Sequence, residues 1–413
     1  MTQTEVYVAL HGDDALAGTV YSHRRRGTES ATFSYTSDYL STPGAYALDP
    51  ELPLAGGARQ TRVGRSLFGA LTDCAPDRWG RTLVTRTEAA LARAEGRTPR
   101  ALGEIDYLLG VRDDLRQGAL RFRRGDGPFL AEDASGVPAL TDLPSLLDLA
   151  ARAENDTADL PDLQRLIRVG SSLGGARPKA HVLAADGQLA IAKFPSANHD
   201  TWNVMAWEKV ALDLAGRAGI DVPPSRLLHL AGRHVLVIDR FDRTRAGGRI
   251  GYVSAMTMLE ASDGEQRSYL DIAQVIENTS CRATAELHQL WRRVVLSVLI
   301  SNTDDHLRNH GFLHERGDAW RLAPAFDLNP NPAPGRTFLS TAIDDADDAA
   351  SVRTALSVAD CFRLSDAQAR VVLSEVTAAV TTWRDVAALH RLSRAETAAM
   401  APAFAALDEA AAL

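Results

Sequence analysis

Ser301-Asn-Thr-Asp-Asp-His-Leu-Arg-Asn-His-Gly311, followed by Pro324-Ala-Phe-Asp-Leu328, decides the reading of this 413-residue chain. A carboxylate, Asp304, precedes Asn309 by five positions, and a further carboxylate, Asp327, comes after a short hydrophobic hairpin. Phosphoryl transfer from a nucleoside triphosphate calls for this set. One carboxylate orients the attacking hydroxyl and takes its proton, while an amide oxygen and a second carboxylate hold the cations that neutralise the phosphates. The spacing of base, Asn and later Asp is the one kinases use.

The flanking residues suit that reading. Glu286 to Ile300 predicts a buried helix, because Leu287, Leu290, Trp291, Val294, Val295, Val298 and Leu299 recur at helical spacing. Asn302, Thr303, Asp304 and Asp305 break the pattern as turn residues do. Gly311 to Leu322 predicts two strands around Glu315-Arg-Gly-Asp318. Helix, polar loop, hairpin and Asp in this order bring Asp304, Asn309 and Asp327 to one place. Asp305, beside the expected base, is a further carboxylate able to bind metal or raise a neighbour's pKa.

A second half lies upstream. Ser171, Ser172, Leu173, Gly174, Gly175 and Ala176 lead to Lys179 in a small-residue loop that lets backbone N–H groups approach phosphates. It lacks the Gly-Lys-Ser/Thr ending of a P-loop. Ala180 to Leu183 and Gln188 to Lys193 predict a hairpin around Asp186-Gly187. Lys193, in phase with Leu189 and Ile191, needs an anionic partner, which a nucleotide phosphate or Glu208 on the next helix (Trp207 to Ala218) supplies. Arg226 to Leu230 and His234 to Asp239 predict two more strands around Ala231-Gly232. The crossover after them offers Ile238 or Phe241 to an adenine ring.

These segments together resemble the HipA family of bacterial serine/threonine-protein kinase toxins. The resemblance rests on Ser172-Leu-Gly-Gly-Ala-Arg-Pro-Lys179, Ile191-Ala-Lys-Phe-Pro195, the Glu208 helix ending Gly219-Ile-Asp-Val-Pro223, Arg240-Phe-Asp-Arg243, Asn302-Thr-Asp-Asp-His-Leu-Arg-Asn309 and Leu322-Ala-Pro-Ala-Phe-Asp327. It implies an α+β, two-lobed protein-kinase-like fold with an N-terminal α/β subdomain and a mainly helical C-terminal lobe. It implies Asp304 as catalytic base and Asn309 and Asp327 as ligands of Mg2+. Lys193 would lie on the ATP phosphates, the loop from Ser172 to Lys179 over the nucleotide, and Asp239 and Phe241 at the adenine hinge. Ser172, with Ser171 beside it, would be the autophosphorylation site whose added charge expels the loop. The family also implies a helix-turn-helix antitoxin of HipB type, DNA binding only through that antitoxin, and a protein substrate such as an aminoacyl-tRNA synthetase. Glycine is common in the family at the position of Asp305.

Two other chemistries fit parts of the pattern. A small-molecule or lipid kinase would use the same Asp304, Asn309 and Asp327. A metal-dependent hydrolase would use His306, His310 and His314, recurring every four residues as on one helix face, but it leaves Lys193, Glu208 and the glycine loop without a task.

Composition bounds the rest. The net charge of −8 does not suggest direct nucleic-acid binding, and Arg24-Arg-Arg26 before Gly27 reads as a hairpin turn. Three scattered cysteines fit a reducing cytoplasm. Met1 to Leu16 lacks a signal-peptide pattern, and no apolar run is long enough to span a bilayer. Three blocks are expected: 1–135 as the N-terminal subdomain, 140–240 with the glycine loop and Lys193, and 241–413 as the helical lobe with the catalytic loop. The tail from Ser365 should be helical through Val371, Val372, Val376, Ala379 and Trp383, and its Ala401-Pro-Ala-Phe-Ala-Ala406 end should fray.

Overall fold

The apolar residues between Leu287 and Leu299 form the buried side of an α-helix spanning Ala283–Leu299. Trp291 lies wholly inside the core, and its indole N–H donates to the Ala355 carbonyl at 3.0 Å. A buried ring of that size is tolerated because its one polar atom is paired. Ser301, in the left-handed region at φ 51°, turns the chain out of the helix.

A computed structural model describes residues 2–10, 12–131, 136–170, 177–333, 338–345 and 349–413. The chain divides into two units, each discontinuous in sequence. One comprises Met1–His199, Asp239–Val253 and Arg316–Asp318; the other comprises Asp200–Ile238, Ser254–Glu315 and Ala319–Leu413.

The first unit opens with strands β1 (Thr2–Leu10), β2 (Asp13–Arg25), β3 (Thr28–Tyr35), β4 (Ala58–Gln60) and β5 (Leu120–Arg123). They form an antiparallel sheet in the order β4-β3-β2-β1-β5. Arg26 and Gly27 both carry positive φ (52° and 82°), the turn geometry that matches strand twist in a two-residue hairpin. The arginine run therefore sits at an exposed hairpin tip. After helices Arg78–Ala94, Leu143–Glu154 and Leu160–Gly170 comes the hairpin of β6 (Lys179–Leu183) and β7 (Leu189–Lys193). Its register pairs Lys179 with Lys193, His181 with Ile191, and Val182 with Ala190. Gly187 at φ 80° closes the turn. One face carries only Ala180, Val182, Ala190 and Ala192, all fully buried. Lys193 is on the other face with Ile191 and Leu189.

The second unit contains helix Val204–Arg217 and the hairpin of β8 (Ser225–Leu230) and β9 (Arg233–Asp239) around Ala231 and Gly232, both at positive φ. The short strand β10 (Tyr252–Ser254) begins in the first unit and ends in the second, where helices Tyr269–Thr279 and Ala283–Leu299 follow, then strands β11 (Gly311–Arg316) and β12 (Ala319–Leu322). Among the described residues no helix is long and apolar enough to cross a membrane.

The C-terminal helices correct two expectations. Val371 is 58% exposed while Val372, Val376, Ala379 and Trp383 are buried, so the apolar stripe runs one residue away from Val371. The segment Ala401–Phe404 does not fray but forms a 3-10 turn. Phe404 stacks on Trp383 with centroids 4.2 Å apart and planes 4° from parallel, and both lie beside Trp207. Low sequence complexity concealed one large ring that finds a deep apolar site. Phe404→Ala should cost about 3–5 kcal/mol of stability, from lost burial and the cavity left behind. Urea unfolding monitored by tryptophan fluorescence checks this.

Candidate active site

Asp304 and Asp305 are adjacent and have opposite surroundings. Asp304 is exposed, whereas Asp305 is 3% exposed. Asp305 Oδ2 accepts from the Tyr269 hydroxyl and from Ser297 Oγ, the latter at 3.0 Å. His310 Nε2 lies 3.2 Å from Asp305 Oδ1. Burial pushes the Asp305 pKa up, but His310, Tyr269 and Ser297 outweigh that and hold it below the usual carboxylate value. Asp305 is therefore engaged in the core and is not placed to ligate a metal beside Asp304. The same burial, with the Asp305 charge added, raises the Tyr269 phenol well above its ordinary value.

Asn309 is buried. Its side-chain Nδ2 donates to the Asp304 carbonyl at 3.1 Å, and its backbone N–H donates to His306 O at 2.8 Å. With the amide nitrogen committed, the amide oxygen is the side chain's acceptor. Asp327 is half-buried and sits in the left-handed region at φ 58°. A non-glycine residue there costs of order 1 kcal/mol and persists only where its surroundings enforce it. Asn329 Nδ2 donates to both the Asp327 carbonyl (3.2 Å) and Oδ1 (3.3 Å).

The two loops are held side by side. Asn302 Oδ1, fully buried, accepts from the Asn329 backbone N–H at 3.1 Å. Asn331 Nδ2 donates to Thr303 Oγ1 at 2.8 Å. Ala323 N–H donates to Gly311 O at 2.8 Å, closing the β11–β12 hairpin at its base. Glu286 from the apolar helix accepts from Leu322 N at 2.9 Å, and the buried Arg293 donates to Ala323 O at 2.6 Å. The residues two before Asp304 and two after Asp327 are thus hydrogen-bonded to each other. Sequence pattern marks Asn302 and Thr303 only as turn residues and does not mark Asn329 and Asn331. Their signal is the Asn-Pro-Asn-Pro run at Asn329–Pro332, since Asn before Pro favours turns whose side chains bond backbone.

In the first unit Lys193 ends β7, half-buried. Lys179 differs from it: its ammonium, 2% exposed, is held by Asp77, which also caps helix Arg78–Ala94 through Gly80 N at 2.7 Å. Ser171, Ser172, Leu173, Gly174, Gly175 and Ala176 lie outside the described residues. Asp239 ends β9 half-buried, and Phe241, also half-buried, has its ring 6.3 Å from Tyr252. Glu208, in the second unit, is 1% exposed on helix Val204–Arg217.

The Arg240-Phe-Asp-Arg243 segment carries a buried charge cluster that the sequence reading assigned no role. Arg240 forks onto Asp242 with bonds of 2.6 and 2.5 Å, and Gly118 N and Arg243 add bonds of 2.8 and 2.9 Å to Asp242 Oδ2. Arg240 also contacts His181 Nε2 on β6 at 3.0 Å and Leu115 O at 2.8 Å. Burial, then Arg240, pushes the His181 pKa well down, so the ring is neutral. The alternation of Arg240 and Asp242 around Phe241 was the available signal: two charges on one side of an extended segment.

His306, His310 and His314 do not share a helix face. A short turn at Leu307–Asn309 gives way to β11, where His314 packs edge-on against Trp320 at 5.3 Å. Gly311 starts a strand instead of continuing a helix.

The family model described as HipA-like C-terminal domain matches residues 171–383, just over half the chain. A Haemophilus influenzae protein named "Putative kinase" is 25% identical over 184 residues, 38% of this chain and 52% of its own length. "Putative kinase Y4mE" of Sinorhizobium fredii is 25% identical over 324 residues, 72% of this chain and 71% of its own. The chain thus spans about half of the first relative and less than three quarters of the second. Among solved structures, the HipA, HipB and operator DNA complex of Shewanella oneidensis MR-1 matches with a TM-score of 0.68 at 17% identity, covering 98% of this chain and 96% of that one. The fold is the mixed helix-and-sheet fold of that structure. The chain belongs to the HipA family.

The charge cluster yields a stability prediction. Burial alone would raise the Asp242 pKa, but Arg240 and Arg243 hold it far below the usual carboxylate value. A depressed folded-state pKa contributes stability above the unfolded value, about 4, that is lost progressively as pH falls below it. Asp242→Asn leaves two buried guanidinium groups uncompensated and should destabilise by about 3–5 kcal/mol at pH 7. The variant's unfolding free energy should also vary less between about pH 4 and 2 than the wild type's. Denaturant titration across pH checks both.

Proposed function

We propose that this chain is an ATP- and Mg2+-dependent serine/threonine-protein kinase acting as the toxin of a toxin–antitoxin pair. The observation that carries the proposal is the pinning of the Asp304 loop to the Asp327 loop through Asn302 and Asn329. A base and a cation-binding carboxylate that must serve one triphosphate need to be held at a fixed separation.

Each residue has a role in this reading. Asp304, exposed beside a buried neighbour, orients a substrate hydroxyl and accepts its proton. Asn309 and Asp327 hold Mg2+. Their fit rests on donor chemistry: an amide oxygen whose nitrogen is already committed and a carboxylate are the hard oxygen ligands this ion takes. The ion supplies neutralisation of phosphate charge. Lys193 is assigned to the phosphates of the nucleotide. Asp239 and Phe241 serve the adenine. Ser172 or Ser171 is the autophosphorylation site, and its phosphate would repel the nucleotide. Lys179, already held by Asp77, is assigned a secondary contact with the nucleotide.

The partner reading rests on the solved relative, described as HipA with HipB and operator DNA. We assign this chain a helix-turn-helix antitoxin of HipB type, with DNA reached through it, a protein substrate such as an aminoacyl-tRNA synthetase, and a cytoplasmic location.

Asp304→Asn should lower phosphate transfer from ATP by at least a hundredfold while ATP affinity by calorimetry stays within threefold; transfer at the wild-type rate removes Asp304 from the base role. Asp327→Ala should weaken Mg–ATP binding at least tenfold and leave Mg-free binding little changed.

A further inference from the structure

The pair Asp304 and Asn309 is backed, one residue on, by the pair Asp305 and His310. We infer that Asp305 is a positioning residue: the buried contact of Asp305 with His310, anchored by Tyr269, sets the separation of the two groups that do the chemistry. The inference rests on the kinase reading for its activity arm alone.

The loop between the pairs is short. Only four residues, His306 to Asn309, separate Asp305 from His310. Asp305 is fixed to two helices at once, through Tyr269 on Tyr269–Thr279 and Ser297 on Ala283–Leu299. Its backbone carbonyl accepts from Thr341 Oγ1 at 2.7 Å, which locks the peptide following it. His310 is fixed independently. Its carbonyl accepts from Ala255 N at 2.7 Å, and the Tyr269 ring meets its imidazole edge-on, with centroids 5.5 Å apart and planes at 82°. Tyr269 therefore touches both members of the backing pair. With both ends held, the intervening turn has little freedom, and the Asn309 side chain closes on the Asp304 carbonyl. Each active group is next in the chain to an anchored one, so a shift of Asp305 moves Asp304 with it.

A buried carboxylate here is costly unless satisfied, and a lone fold-stabilising role could be filled by an apolar side chain. What an apolar residue cannot do is bond Tyr269 and Ser297 and hold His310 at the same time. Displacement of reacting groups by about 1 Å can cost of order a hundredfold in rate. A positioning role therefore appears in kcat more than in nucleotide affinity.

The test uses the full chain with Asp305→Asn, Tyr269→Phe and the double variant. ATP turnover is read as ADP release, and backbone hydrogen exchange is read at Asn309 and His310. The expected result is kcat lowered at least tenfold in Asp305→Asn with KM for ATP within twofold. Tyr269→Phe should lower kcat in the same direction by a smaller factor, and the double variant should be no slower than Asp305→Asn alone. Amide exchange at Asn309 and His310 should quicken at least tenfold in Asp305→Asn while exchange in helix Arg78–Ala94 is unchanged. A folded Asp305→Asn protein with kcat within twofold of wild type overturns the inference, as do unchanged loop exchange and exchange that quickens everywhere alike. If wild type releases no ADP, the kinase reading fails, and the exchange comparison alone decides the positioning claim.

Discussion

The hydrogen bond from the Asn329 backbone to the buried amide oxygen of Asn302, at 3.1 Å, is the constraint on which the paired Asp304 and Asp327 loops depend. The two partners are 27 positions apart in the chain. The path between them is a polar turn, a two-stranded hairpin and an extended return. Each piece is short, and none buries enough apolar surface to hold its own geometry. The Ala283–Leu299 helix supplies the rigid frame: Glu286 and Arg293 take hold of the hairpin's exit, Ser297 of the loop's entry, and Trp291 seats the helix itself in the core. An apolar helix that projects buried polar side chains onto its neighbours is an expensive arrangement, since burial shifts the Arg293 guanidinium down to about 10 and raises the Glu286 carboxyl. It persists because Glu286 and Arg293 each have a backbone partner and Ser297 has the Asp305 carboxylate.

Two of the left-handed, non-glycine residues flank the loops where the chemistry is proposed. Ser301 and Asp327 both occupy the left-handed region, one at each edge of the loop pair, and neither is glycine. Such residues relax unless their neighbours over-determine them. Asn329 does this for Asp327 by bonding both its carbonyl and its carboxylate.

Much of this was legible in the sequence. The order of helix, polar loop and hairpin follows from periodicity and turn residues, and the structure has those elements in that order. The hairpin ending at Lys193 follows from Asp186-Gly187 and alternation. The family resemblance was carried by the same residues. Other features could not be read. Asp304 and Asp305 are identical in type and adjacent, and only Tyr269, 36 positions away, reveals which one faces inward. Lys179 and Lys193 are both strand lysines, yet one is held by Asp77, 102 positions upstream. Val371 and Val372 are likewise the same residue on opposite sides of a helix. The common cause is that local pattern fixes backbone type, whereas the partner of a charged side chain is chosen by long-range packing.

The central claim is that the Asp304 and Asp327 loops serve one cation at one fixed separation. The most direct measurement replaces Mg2+ with paramagnetic Mn2+ in the presence of a non-hydrolysable ATP analogue and follows line broadening of assigned backbone amides. The account predicts that the amides of Asn309 and Asp327 broaden together, at the same Mn2+ concentration, and that both recover in Asp327→Ala. Broadening of one without the other, or of neither, would contradict it.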